Sequence, residues 1–570
     1  MIRRVTVLTL LGLAVGCIVA LVAVGFVDGL LWLNDRLFIS PRSRMLAGDP
    51  AWLALATLAV PTLGGLVVGL LCSMIPGGRP HAPADAIRAA QSLGAPMPVK
   101  AGMLTAIAAF LSLGSGASVG QYGPLVHIGA SLGSWMSRIA GGGRYLGTIG
   151  IGCGAAAAIA AAFNAPIAGL VFAHEVILRH YSFRAFAPVT VSATLGYVVA
   201  NVVFERPPLF RIEGPEVASP YEYLAFIGIG ITGAVLAMLF MRAVLLAGEL
   251  SRRLALPGPL KTALAGLAVG LVALQIPDVL GIGKEVLRFA IIENAFAAPE
   301  LAAILVAKLL LTALCLGFGF AGGVFSPALL IGILFGALAG TGAEWVYGDH
   351  HSHIAIYAVC GMVAVTSPVI GAPLTTILIV FELTRNYDVA TAAMVSAAFA
   401  SLVGYRIFGR SLFDVQLESQ GFDLSLGRDR VMVEQRTVRE FLSSDYTVVS
   451  AVNTLAQARD ALLEGRRSAA YVVDESGKYM GSIVLNRLME LAASGGGLTD
   501  TVAKHAQPDA LVLSPGDSIW KAMSMLEDFV GESIPVLEEG RLAGVVFEGS
   551  IVKAYLETLN DLRREENAAA

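Results

Sequence analysis

Three short segments punctuated by Gly and Pro hold residues able to bind an anion without a metal. They are Arg79-Pro80-His81-Ala82-Pro83, Gly116-Ala117-Ser118-Val119-Gly120-Gln121-Tyr122-Gly123-Pro124 and Gly322-Gly323-Val324-Phe325-Ser326-Pro327. The first turn of a helix leaves backbone N–H groups unused and carries the positive end of the helix dipole, so it attracts negative charge. Pro suits that turn because the N–H it lacks has no partner there, and Gly lets the backbone approach a ligand closely. Titratable side chains lie nearby. His127 follows Tyr122 by five residues, and His174 directly precedes Glu175. Ionisable groups inside apolar sequence are costly, and they serve either ion and proton traffic or local structural partners.

The elements that must position these residues are membrane helices. The chain has 570 residues, 56% of them hydrophobic and 14% charged, against roughly 25% charged in an average soluble domain. That composition excludes a disordered chain, a collagen-like fibre and an ordinary soluble enzyme. From Arg428 onward there are 15 basic and 22 acidic residues, net −7, while the preceding body is net +3. The chain therefore divides into an apolar membrane domain, 1–425, and a soluble acidic tail, 426–570, without a basic patch that would suggest nucleic acid. Met1-Ile2-Arg3-Arg4 opens an apolar run reaching about Leu33, too long for a signal peptide, so it reads as a first membrane helix with cytoplasmic arginines. Cys17, Cys72, Cys153, Cys315 and Cys360 lie singly in apolar stretches, supporting neither a zinc site nor a disulfide framework.

Many of the apolar stretches between residues 6 and 407 are shorter than the roughly 20 residues a spanning helix needs, and several are split by Gly and Pro. Helices that stop inside a bilayer are tolerated only where protein or a watery cavity receives their ends. That pattern indicates a transporter or channel with a site near the midplane. The pattern also repeats. Pro166 leads to Glu175 and Pro373 to Glu382, each nine residues on; Pro124 is followed by Gly129 and Gly133, and Pro327 by Gly332 and Gly336. The offsets of 207 and 203 residues indicate two related halves, about 1–205 and 215–415, parallel or inverted. The tail is duplicated too. Tyr479–Val484 before Leu485–Ala492 matches Leu542–Phe547 before Ser550–Leu559, with Ser494-Gly495-Gly496-Gly497 as a linker.

Together these segments resemble the CLC family of chloride channels and proton-coupled chloride transporters. Gly323-Val324-Phe325-Ser326-Pro327 matches the family's GxFxP motif, and Ala161–Gly169 and Phe381-Glu382-Leu383-Thr384 match further family segments. The tail resembles the paired CBS domains of this family, about 432–495 and 500–562. The resemblance implies a polytopic α-helical membrane protein with an inverted repeat of broken helices, a cytoplasmic α/β CBS pair, and a homodimer with one pore per subunit. Anion-binding and pore residues are then Gly120, Gln121, Tyr122, Gly123, Gly323, Val324, Phe325, Pro80, His81 and Phe413.

Four positions depart from the family pattern. Tyr122 stands where the family's GREGP motif carries a gating, proton-exchanging glutamate. With a reference pKa of about 10 a phenol stays neutral at physiological pH, so Tyr122 is expected to donate a hydrogen bond, plug the pore or simply pack. Val176 aligns with the inner proton-carrying glutamate. Pro80 replaces the chloride-contacting serine of the GSGIP motif, with His81 or Arg79 as compensators, and Phe413 replaces the pore tyrosine. The expected function is a passive channel or uncoupled transporter for chloride or a related inorganic anion, in a bacterial inner membrane and not an enzyme. The alternatives are a proton-coupled antiporter relaying protons through His127, His174 or Glu175, and a non-conducting sensor. CBS pairs often hold adenine nucleotides on an Asp; the matching positions, Arg487 and Ser550, are not acidic, which leaves a nucleotide partner open and no other cofactor expected.

Overall fold

The computed structural model describes residues 2–567 apart from 93–96, 142–143, 210–215, 349–350, 494–497, 509–510, 528 and 530. The expected linker at 494–497 lies outside the described residues. Two units emerge, Met1–Phe422 and Asp423–Asn567, the boundary falling three residues earlier than the composition shift indicates.

The first half of the membrane unit runs α1 (Ile2–Arg36), α2 (Pro41–Met45), α3 (Pro50–Ser73), α4 (Pro83–Gln91), α5 (Val99–Gly114), α6 (Tyr122–Ile139), α7 (Arg144–Phe163), α8 (Pro166–Phe172) and α9 (Phe183–Tyr197). The second half runs α10 (Glu222–Arg253), α11 (Gly258–Ala273), α12 (Lys284–Phe289), α13 (Ala298–Gly317), α14 (Phe325–Tyr347), α15 (Ile354–Ile370), α16 (Pro373–Thr384), α17 (Tyr387–Ile407) and α18 (Leu412–Glu418). Among the described residues eight helices are long and apolar enough to cross a membrane, and five more are apolar but only 10–17 residues long. Pro opens α4, α8 and α16, as its missing N–H allows.

The repeated glycines explain the tightest packing. A Cβ on Gly129 or Gly133 of α6 would stand 2.3 or 1.9 Å from a carbonyl oxygen of Gly154 or Gly150 in α7. In the second half, a Cβ on Gly332 or Gly336 of α14 would stand 2.6 or 2.1 Å from the carbonyl oxygen of Gly361 or Tyr357 in α15. Each half thus uses the same two glycines to bring one helix pair into backbone contact, a membrane strategy that needs small residues.

The repeated acids show how the halves are oriented. Glu175 accepts hydrogen bonds from the backbone N–H groups of Leu374 (3.0 Å) and Thr375 (2.8 Å) and from the Thr375 hydroxyl (2.7 Å), all at the start of α16. Glu382 accepts from the N–H groups of Ile167 (3.0 Å) and Ala168 (2.8 Å), at the start of α8. Each acid lies nine residues beyond its own helix's opening Pro, yet caps the other helix's beginning. Two helices can satisfy both conditions only by running antiparallel, so the repeat is inverted. The copies differ by one residue. The chain around Glu175 forms a π-helical turn, Ala173–Leu178, before a left-handed Arg179 (φ 55°), whereas α16 stays α-helical to a left-handed Arg385 (φ 50°). The π turn absorbs the residue that the first copy carries in excess.

In the tail, β1 (Thr447–Ser450) pairs parallel with β2 (Ala469–Val473), which pairs antiparallel with β3 (Tyr479–Val484). The helices here are α19 (Arg428–Glu434), α20 (Leu455–Gly465) and α21 (Leu485–Ala493). The second copy repeats this with a parallel bridge from Leu513 to Val536, then β4 (Ser533–Glu538) antiparallel to β5 (Arg541–Phe547), flanked by α22 (Ile519–Met525) and α23 (Glu548–Asn567). The expected helices Leu485–Ala492 and Ser550–Leu559 begin within two residues of α21 and α23, but α23 runs eight residues beyond the expected Leu559. The copies exchange their leading segments. Val433 and Val438 are buried in the second copy's core with Ile519, Ile534 and Ile551, and Val502 is buried in the first copy's core with Val449 and Leu488.

Candidate anion site at the converging helix starts

The two Gly/Pro segments of the inverted repeat meet head to head. Gly120 and Gly323 exchange two backbone hydrogen bonds, each 2.8 Å, in an antiparallel bridge just before α6 and α14 begin. A Cβ on Gly120 would lie 2.6 Å from the Gly323 carbonyl oxygen, and one on Gly123 would lie 2.9 Å from the Gly323 Cα. Only glycine permits this approach. The Gln121 N–H donates to the Ser326 hydroxyl at 3.2 Å, a second tie between the segments. Two helix N-termini therefore open onto one point, and their dipoles add there.

At that point lies a small cavity. Tyr122, Gly123 and Val126 of α6 and its lead-in face Gly323, Val324 and Phe325, and Pro83, Phe172 and Phe413 complete the wall. A water-sized sphere finds about 10 Å³ of room, the space of one water. Tyr122 fills the rest. Its ring lies 3.9 Å from that of Phe163 and 5.6 Å, edge to face, from that of Phe325, and it is 2% exposed. Edge-to-face and tilted contacts of this kind favour aromatic rings over equal apolar area. No carboxylate is among the lining residues.

Of the residues expected at the pore, Tyr122, Gly123, Gly323, Val324, Phe325 and Phe413 line this cavity, and Gly120 holds its backbone frame. Pro80 and His81 do not line it. The inner loop reaches the cavity with Pro83 instead, because Arg79 is drawn back onto Asp85 (2.6 Å) and the Asp85 carboxylate accepts from the Ala82 N–H (2.8 Å), turning the loop into α4. His81 points elsewhere, its N–H donating to the Thr105 hydroxyl (3.2 Å) and its ring meeting that of His127 edge to face, 5.3 Å away. Gln121 lines a different cavity of about 480 Å³ with Asn34, Arg44, Asp278 and Lys284. There its side-chain oxygen is buried without a partner.

The expected relay residues are dispersed. Glu175 is committed to capping α16, and His174 bonds the His180 carbonyl through Nδ1 (2.9 Å) while stacking on Tyr181. Both line a pocket of about 320 Å³ with Val176, Arg179 and Asp414, away from Tyr122. Phe163, Phe172 and Pro83 escaped the sequence reading as site residues. Apolar side chains carry no chemical mark, although all three lie inside or beside segments singled out for their Gly and Pro content.

A voltage gated chloride channel family model matches residues 64–405, and a CBS domain model matches 438–494 and 502–557. The chain is 30% identical over 405 residues to a putative chloride channel protein ClcB-like of Ralstonia nicotianae, covering 69% of this chain and 91% of that protein. It is 27% identical to chloride channel protein CLC-f of Arabidopsis thaliana, covering 82% and 67% respectively. Among solved structures, a slow cyanobacterial Cl−/H+ antiporter aligns with a TM-score of 0.66 at 24% identity, covering 73% of this chain and 98% of that one. A eukaryotic CLC transporter aligns over 96% of this chain and 99% of that one, with a TM-score of 0.62 at 21% identity, and so shares the fold with the tail included. The head-to-head helix starts, the inverted repeat and these matches agree: the chain belongs to the voltage gated chloride channel (CLC) family and carries a C-terminal CBS pair.

Proposed function

We propose that this chain is a passive pathway for chloride or a related inorganic anion, a channel or an uncoupled transporter, with Tyr122 as its gate or ligand. One observation carries the reading: two helix starts converge on a cavity whose mouth holds a phenol and whose lining holds no carboxylate. The helix ends supply fixed positive potential for an anion, and a neutral phenol supplies at most a hydrogen bond, not a proton exchanged near neutral pH. Arg3 and Arg4 at the start of α1 support a cytoplasmic N-terminus, and a bacterial inner membrane is the expected home. The family resemblance supports a homodimer with a pore in each subunit. At the tail, Arg487 and Ser550 in place of an acid support a structural rather than nucleotide-reading pair; calorimetric titration with AMP, ADP and ATP tests that.

Anion efflux from proteoliposomes, with and without an imposed pH gradient, tests the pathway. Efflux is expected to follow the anion gradient in both, with no stoichiometric uphill proton movement, and a series of chloride, fluoride, nitrate and bicarbonate ranks the anions. Stoichiometric uphill proton movement would replace this reading by a proton-coupled antiporter. The observation favouring that second reading is His127, whose ring nitrogens are buried without hydrogen-bond partners. Absence of flux under every condition, Tyr122→Ala included, would leave a non-conducting sensor.

A further inference from the structure

His81 and His127 come from segments that the sequence treats as unrelated, an inner loop and the body of α6. The fold sets their rings 5.3 Å apart at 84°, edge to face. His127 is 1% exposed, and neither of its ring nitrogens has a hydrogen-bond partner; nor does Nδ1 of His81. Three unpartnered nitrogens on two facing imidazoles are unusual, because buried polar groups are nearly always satisfied. Neither ring lines the cavity, but each residue is a close chain neighbour of one that does. Val126, which lines the cavity, precedes His127, and Pro83, which also lines it, follows His81 by two residues.

The surroundings neither satisfy the pair nor charge it permanently. Among the described residues, the charged groups acting on it are Arg79, Asp85 and Arg88 from the loop and α4. Asp85 is already held by Arg79 through two side-chain hydrogen bonds of 2.6 and 3.1 Å and serves as the cap of α4. From α5 the neighbours are uncharged. Thr105 takes the His81 N–H, and a Cβ on Gly102 would stand 3.6 Å from the His127 ring.

We infer that His81 and His127 form one intramembrane proton-binding site whose protonation is linked to anion occupancy of the Tyr122 cavity. The inference rests on the proposed anion pathway. A nitrogen lone pair takes a proton from water, and the pair gains one positive charge. A buried cation without a counter-charge is costly, and so is an anion without a cation. Each therefore lowers the cost of the other, and linkage makes the effect reciprocal: acid tightens anion binding, and anion binding draws in protons. The site thus supplies, one or two residues along the chain from the lining, a titratable group that the mouth of the cavity lacks.

The test uses the full chain purified in weakly buffered detergent. Chloride is added while a pH-indicator dye reads proton uptake, and calorimetry reads chloride affinity from pH 5 to 7.5. Chloride is expected to draw in up to one proton per chain, and its affinity to rise about tenfold toward pH 5, within the usual range of coupling between two sites. His127→Gln and His81→Gln are each expected to cut the uptake at least threefold and flatten the affinity profile. His81 is only half-buried, so His81→Gln carries the test alone if the His127 variant does not fold. Equal proton uptake in wild type and variants, or chloride affinity independent of pH in wild type, overturns the inference and leaves the anion pathway intact. No chloride binding at any pH, with no efflux, removes the pathway itself and this site with it.

Discussion

Tyr122 occupies the first position of α6, where a side chain stands next to the unused N–H groups of the helix start. Its ring, packed on Phe163 and Phe325, leaves room for about one water, so passage of an anion requires the ring to move or to be absent. Tyr122→Ala is expected to raise chloride efflux from liposomes roughly tenfold, about 1.4 kcal/mol off the barrier. Tyr122→Phe keeps the packing and loses the hydroxyl. It is expected to leave the rate within about twofold if the ring gates sterically, and to lower chloride affinity about fivefold, about 1 kcal/mol, if the hydroxyl binds the anion. Efflux and calorimetry on the two variants separate gate from ligand. Truncating so buried an aromatic ring also costs on the order of 3 kcal/mol of stability, which thermal unfolding reads independently. The identity of Tyr122 as an odd residue at a helix start was legible in the sequence, because Gly and Pro mark such starts. Its cage was not, because Phe163 and Phe172 reach it only through the packing of α7 and α8.

At the scale of elements, the halves are held by two carboxylates and four glycines. Glu382→Gln keeps the shape of the side chain but removes the charge from its hydrogen bonds to Ile167 and Ala168, and is expected to destabilise the membrane unit by about 1–2 kcal/mol. Glu175→Gln is expected to do the same at the start of α16, since its bonds to Leu374 and Thr375 are equivalent. Lowered unfolding midpoints in both variants, with proton movement unchanged in Glu175→Gln, would establish capping over proton carriage. Gly133→Ala is expected to be worse, because its Cβ would meet the Gly150 carbonyl oxygen at 1.9 Å and the α6–α7 pair must separate. A loss of about 3 kcal/mol or failure to assemble, seen by size-exclusion chromatography, is the expected result. The spacing of Pro, Glu and Gly revealed the repeat in the chain. It left the relative direction of the halves open, and only the exchange of caps between α8 and α16 decided it.

At the scale of the whole molecule, the membrane unit and the tail follow different rules of construction. In the tail each core borrows its opening segment from the other copy, so neither copy is complete as a contiguous stretch. Val438→Ala, near the beginning of the tail, is therefore expected to loosen the second copy. Hydrogen exchange should rise across 513–554 more than across 449–488, at a cost of roughly 1–3 kcal/mol for the lost methyl groups and the cavity they leave. The expected division at 432–495 and 500–562 could not show this exchange, because Val433 and Val438 look like any apolar residues before a strand.

By itself, the sequence determined that this is a membrane protein of two related halves with a duplicated tail, and which Gly- and Pro-marked segments begin helices. Those properties follow from composition, hydropathy and backbone chemistry, which are local. Tertiary structure alone decided that the halves are inverted, that Pro83 rather than Pro80 or His81 reaches the cavity, that Glu175 is a cap, and that His81 faces His127. Each of these depends on which distant segment arrives beside a residue, and no local preference of the chain encodes that arrival.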